Sequence, residues 1–142
     1  PNVLPQTVWA NFNSRLNPGD TRQELVEFFQ ELAGPDCEVT LPISFEASKI
    51  ASTTSSAYRT ISQSVRQVYG EIPVVPSVFF ASTDSQYFNE LADDVYKYMP
   101  FISNLKYTTT MHTTNERIDV DSFAEGVQFY AQLLRNVCTH NA

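Results

Sequence analysis

Histidine is scarce in this sequence. Only His112 and His140 occur in 142 residues. A zinc site takes three or four protein ligands, so the chain cannot build a histidine-only metal site by itself. Cysteine is equally sparse, with Cys37 and Cys138 far apart. Two cysteines at that separation form neither a metal-binding cysteine pattern nor a disulfide framework, and they leave the redox compartment open. Basic residues are outnumbered, 9 Lys and Arg against 16 Asp and Glu, for a formal charge of -7. That balance argues against nucleic acid or an anionic membrane surface as a partner, since both call for clustered basic side chains. No apolar run is long enough to span a bilayer. Nothing at the start reads as a signal peptide, and the chain opens on Pro1 rather than Met, which suggests processing, trimming or excision.

What is present suits a folded chain: the 42% apolar fraction is that of an ordinary globular protein. Residues 7 to 16 alternate, with Val8, Ala10, Phe12, Ser14 and Leu16 on one face, and this predicts a half-buried strand. Asn17-Pro18-Gly19-Asp20 is a turn, with Asp20 placed to cap the next helix and Gln23 to complete a capping-box-like pair. Leu25, Phe28, Phe29 and Leu32 then form a helical stripe that Gly34-Pro35 ends. Residues 37 to 45 read as a second strand. This strand-helix-strand unit is too small to bury a core alone and needs a partner. The small, hydroxyl-rich residues 47 to 56 read as a linker and domain boundary.

A helix over residues 57 to 69 follows, stopped by Gly70, and then residues 74 to 81 read as a strand buried on both faces, with Pro76 pulling it toward an edge. Thr83-Asp84-Ser85 comes directly after, where ligands bind in open α/β sheets. The plainer reading has Asp84 or Ser85 capping a short helical stretch over residues 86 to 91. Residues 95 to 101 read as another short strand, and residues 102 to 118 as a long loop, a kind of segment that often carries function. That loop contains Thr110-Met111-His112-Thr113-Thr114-Asn115-Glu116, which makes His112 the chain's best candidate metal ligand. The last helix, over residues 122 to 137, starts at a Ser122–Glu125 capping box and carries a Phe123, Val127, Tyr130, Leu134, Val137 stripe. His140 lies in the tail as a bystander.

Asn2-Val3-Leu4-Pro5, a strand ending in Arg15 with Pro18-Gly19 after it, Thr83-Asp84-Ser85, and Met111-His112 with Asn115-Glu116, in that order and spacing, resemble the C-terminal portion of the zinc aminoacylase and carboxypeptidase family. That family includes acetylornithine deacetylase, succinyl-diaminopimelate desuccinylase and aminoacylase. The Tyr-Phe after the Thr-Asp-Ser motif, Val95-Tyr96-Lys97-Tyr98 and Phe129-Tyr130 are most similar to its carboxypeptidase S-like and N-fatty-acyl-amino-acid hydrolase branch.

The resemblance implies an α/β chain. Residues 1–46 would be the second half of a ferredoxin-like α+β lid or dimerisation domain, and residues 47–142 the C-terminal segment of an α/β zinc-peptidase catalytic domain. It implies a hydrolase of N-acyl amino acids or dipeptides using two zinc ions, of which this chain would supply one ligand, His112. Glu116 would accept a hydrogen bond from the His112 ring. Asn2 and Arg15 would hold the substrate carboxylate and the developing oxyanion, Arg15 in a bidentate pair. Thr83 and Asp84 would lie beside the substrate pocket.

The family's other zinc ligands and its general-base Glu would precede Pro1, so no catalytic residue is expected here. The chain alone should be inactive, with the missing N-terminal portion and a second copy through the lid as expected partners. The family commonly has Arg where this chain has Gln86, and Gly where it has Thr113. The first puts recognition of an acidic group in question, and the second could stiffen the turn after His112. A non-catalytic interaction or dimerisation module derived from the family is the alternative. A cytoplasmic and a secretory or vacuolar location both stay open.

Overall fold

In a computed structural model the described residues are 3–101 and 105–139. The chain divides into two units, Pro1–Lys49 and Ile50–Ala142. Regular structure among the described residues is helical: α1 (Arg22–Ala33) in the first unit, and α2 (Ser56–Tyr69), a 3-10 helix (Asp84–Phe88), α3 (Leu105–Thr108) and α4 (Val120–Thr139) in the second.

The expected α/β pattern is corrected at each of the four predicted strands, residues 7–16, 37–45, 74–81 and 95–101, which form none among the described residues. Alternation assigns side chains to faces, but a strand exists only when a neighbouring chain supplies its hydrogen-bond ladder. Here no such ladder forms, and residues 74–81 are not buried on both faces: Phe80 is 70% exposed and Val75 77%.

In the first unit, α1 starts on a capping box, but Thr21 fills the cap rather than Asp20. Thr21 Oγ1 accepts from Glu24 N at 3.2 Å and the Glu24 carboxylate accepts from Thr21 N at 2.8 Å. Asp20 is already engaged, because its carboxylate accepts from Asn17 N at 3.1 Å within the preceding turn. Glu46 serves the same helix end from far along the chain, accepting from Arg22 N at 3.1 Å and Arg22 Nε at 2.7 Å. These bonds from Arg22 hold the Glu46 carboxyl below its usual range. At the other end Gly34, at φ +80°, stops the helix with its N–H on Gln30 O. The Gln30 side chain then donates to the Gly34 and Cys37 carbonyls, both at 2.9 Å, and ties down the return segment. Phe12 packs on Phe29 with ring centroids 5.0 Å apart. No residue of 3–49 is buried.

The core lies in the second unit, between α2 and α4. Val65 and Phe129 are its fully buried apolar side chains, each worth about 1.5–3 kcal/mol of burial. Tyr98 packs on Phe129 at 4.8 Å. Small residues let the elements approach. A Cβ on Gly126 would run into the Phe101 ring and stand 3.3 Å from the Pro100 carbonyl. Asn136 links the two helices by donating to Ser64 Oγ at 2.8 Å and Gln67 Oε1 at 2.7 Å. Tyr69 donates to the Pro100 carbonyl, and burial, with Tyr98 next in weight, pushes its phenol up to about 12.

The hydroxyl-rich stretch before α2 is not a loose linker. Ser52 N donates to Asp94 Oδ1 at 2.6 Å, Tyr96 Oη donates to the Ser52 carbonyl at 2.6 Å, and Ser55 caps α2 by accepting from Tyr58 N at 3.1 Å. The expected Ser122–Glu125 box gives way to Asp119, whose Oδ1 accepts from Asp121 N at 3.1 Å and Ser122 N at 3.2 Å. The last helix therefore begins at Val120, two residues before the expected start at Ser122, and Ser122 is buried inside its first turn.

Candidate functional site

The predicted loop around His112 is a chain of turns. After α3, Tyr107 O accepts from Thr110 N at 2.9 Å, Thr110 O from Thr113 N at 3.1 Å, and Thr113 O from Glu116 N at 3.2 Å. His112 stands at φ +61° and Asn115 at φ +66°. Asn and His are among the residue types that reach this left-handed region most readily, yet each such residue needs surrounding structure to hold it. Thr113 does not need the left-handed conformation, so glycine is not required there. Its hydroxyl instead donates to the Thr110 carbonyl at 2.9 Å and stiffens the turn after His112.

This turn is moored to α4. Tyr107 Oη donates to Asp119 Oδ2 at 3.2 Å, while Asp119 Oδ1 caps the helix. The Ser122 N–H bond above all, then the Tyr107 hydroxyl, hold the Asp119 carboxyl below its usual range. Beside the turn lies a cavity of about 350 Å³ lined by Met99, Phe101, Tyr107, Thr108, Met111, Glu116, Arg117 and Ile118. Both methionines of the chain line it, and Glu116 and Arg117 add one charge of each sign.

His112 is exposed at the surface of this turn. Glu116 lines the cavity next to it, and among the described residues no hydrogen bond joins the two. Thr83 caps the 3-10 helix, accepting from Ser85 N at 3.3 Å, with its hydroxyl 2.6 Å from Ser85 Oγ. Asp84 is exposed in the first turn of that helix, and Gln86 accepts from Ser82 Oγ at 3.2 Å. Arg15 is exposed in the extended segment of the first unit, whereas His112, Glu116, Thr83 and Asp84 belong to the second. Asn2 lies outside the described residues.

Among the described residues no group of three or more His, Cys, Asp and Glu is placed to hold a metal ion. An exposed imidazole on a hydrogen-bonded turn fits the part of a single ligand. The rest of a metal site would have to come from sequence outside these residues. Sequence reasoning missed Tyr107, Thr110 and Asp119 as the frame of the His112 turn. The signal was Asp119, a capping residue type standing three residues before Ser122, from which the helix was read.

A family model described as "Peptidase family M20/M25/M40" matches residues 5–136. Among curated proteins the chain is similar to the N-fatty-acyl-amino acid synthase/hydrolase PM20D1 of Xenopus tropicalis, 31% identical over 142 residues, covering 99% of this chain and 28% of that protein. It is similar to the probable carboxypeptidase S-like 1 of Dictyostelium discoideum, 29% identical over 140 residues, covering 96% of this chain and 29% of that protein. It is also similar to the human PM20D1 protein of the same description, 27% identical over 143 residues, covering 97% and 28%. The chain thus spans less than a third of the length of these relatives. No solved structure matches it. The family match runs through the first unit, the 3-10 helix, the His112 turn and most of α4, and the chain belongs to peptidase family M20/M25/M40.

Proposed function

We propose that this chain is the C-terminal part of a zinc-dependent metallopeptidase or amidohydrolase that cleaves the amide bond of N-acyl amino acids or dipeptides. The observation that carries the reading is the exposed His112, held at φ +61° beside a Met-lined cavity, in a chain that the family model covers from residue 5 to residue 136. His112 supplies one imidazole to a two-zinc site whose other ligands and general base come from sequence outside this chain. Zinc in such a site polarises the scissile carbonyl and lowers the pKa of bound water. Asn2 and Arg15 hold the substrate carboxylate and the developing oxyanion, Thr83 and Asp84 border the pocket, and Glu116 accepts from the His112 ring once the site is assembled. Support for the acyl class comes from the names of the PM20D1 relatives and from the apolar walls of the cavity, where methionine side chains adapt to flexible aliphatic ligands. Residues 1–46 act as half of an α+β lid and residues 47–142 as a segment of an α/β catalytic domain, their extended segments becoming strands when neighbouring strands complete the sheets.

The expected outcome is that the chain alone hydrolyses no N-acyl amino acid. Mixing it with a separately produced N-terminal portion of a relative should restore zinc-dependent hydrolysis, and His112→Ala should abolish the restored activity. A folded, associated pair that stays inactive with zinc overturns the proposal.

A second reading, a non-catalytic interaction or dimerisation module, is favoured by the exposed apolar side chains of the first unit, among them Trp9 at 84% and Ile43 at 85%. Exposed apolar surface of this kind marks a protein contact. A homodimer in native mass spectrometry that excludes the N-terminal portion would favour that module over the enzyme.

A further inference from the structure

We propose that Thr110 is a positioning residue that clamps the turn around His112 and holds the imidazole in its left-handed presentation; this rests on the reading of His112 as a metal ligand. Thr110 engages both sides of His112 at once. Its hydroxyl donates to the Tyr107 carbonyl at 2.7 Å and accepts from Arg117 N at 3.4 Å, spanning from before the histidine to after it. Its amide donates to the Tyr107 carbonyl at 2.9 Å. Its carbonyl accepts both Thr113 N at 3.1 Å and Thr113 Oγ1 at 2.9 Å. Every hydrogen-bonding group of Thr110 is thus spent on the turn that encloses His112.

A left-handed residue with a side chain is strained and persists only when its surroundings over-determine it. The Thr110 bonds supply that determination, and the Tyr107–Asp119 bond passes it to the N-terminus of α4. A ligand fixed before metal arrives loses less freedom on binding. Partners bonded directly to a metal-binding histidine change metal affinity about 10–100-fold when removed, and a residue acting through the backbone falls at the low end of that range. Thr113 joins the same clamp, so hydroxyl chemistry holds the position where glycine is common in the family.

The test uses Thr110→Val, which keeps the shape and removes the hydroxyl, and Thr110→Ser, which keeps the hydroxyl. Nuclear magnetic resonance on the 142-residue chain reads the short intraresidue amide-to-α-proton distances and the couplings of His112. Zinc titration of the protein reassembled with its N-terminal portion reads affinity. Thr110→Val should lose the left-handed signature of His112, with α2 and α4 still folded, and should weaken zinc binding about tenfold; Thr110→Ser should keep both. A left-handed His112 in Thr110→Val overturns the clamp. Loss of that signature with unchanged zinc affinity, in a protein where His112→Ala weakens zinc, overturns the link to metal binding. Unchanged zinc affinity in His112→Ala overturns the underlying assignment of the ligand, a result separable from the first because the conformation is read without metal.

Discussion

One oxygen of the Asp119 carboxylate accepts from the first turn of α4, and the other accepts from Tyr107 at the start of the His112 turn. Both bonds favour the charged form, so the folded pKa falls below the ordinary 3.8. The unfolded chain then takes up the proton more readily than the folded one. Stability therefore rises with pH through this window, is complete above the unfolded value, and is lost as pH falls through the lowered folded value. Glu46, lowered from 4.5 by Arg22, behaves the same way at α1. Asn at position 119 still accepts at a helix cap but does not titrate. In Asp119→Asn, the amides of residues 120–123 should lose their acid-dependent opening, which amide exchange across the acid range reads. Equal acid sensitivity of residues 120–123 in the two proteins would disprove the assignment. At this scale the sequence shows which residue types can cap, but Thr21 over Asp20 and Asp119 over Ser122 were decided by prior engagement and by where the chain enters the helix. His112 could be picked out by its rarity, whereas its left-handed backbone and the Thr110 clamp have no signature in composition or periodicity.

Helices were the readable elements because their determinants are local. The stripes at residues 25–32 and 123–137, and the glycines that stop α1 and α2, lie inside the segments they define. The extended segments at residues 7–16 and 74–81 have the apolar content of strands but depend on a neighbour that no local pattern supplies. Packing between α2 and α4 was likewise only half visible: the stripe names Phe123 and Tyr130, yet the buried residues of α4 are Ser122, Gly126 and Phe129. Gly126 lets Pro100 and Phe101 press close to α4, a role no hydrophobic count reveals. Gly126→Ala places a methyl group inside van der Waals contact of the Phe101 ring and near the Pro100 carbonyl. Overpacking of this kind costs about 1–3 kcal/mol, against a gain of up to about 1 kcal/mol from replacing a mid-helix glycine. The net expectation is a loss of stability in urea unfolding, accompanied by displacement of the Phe101–Phe123 stack. A more stable Gly126→Ala protein would mean that the approach at Gly126 is loose.

The division at Lys49 separates two pieces of very different solidity. All buried residues of the described chain belong to the second unit, where Val65 and Phe129 close the α2–α4 interface. The first unit has α1, its caps and the Phe12–Phe29 contact, but no buried side chain among its described residues. Capping and one ion pair set where α1 begins; they do not supply the burial that makes a helix of 12 residues persist in water. Local stability follows buried apolar contact, so the two units should open with different free energies. Amide exchange in the chain alone should be fast throughout residues 22–33 and slow in residues 60–69 and 126–136. Adding the N-terminal portion of a relative should slow exchange in the first unit selectively, because strands supplied there would cover Trp9, Phe12 and Ile43. If α1 exchanges as slowly as α2 in the isolated chain, the first unit has a core of its own and needs no partner. If the added portion slows nothing in residues 3–49, then whatever covers that apolar surface is not such an N-terminal portion, and the dimerisation module becomes the better account of the first unit.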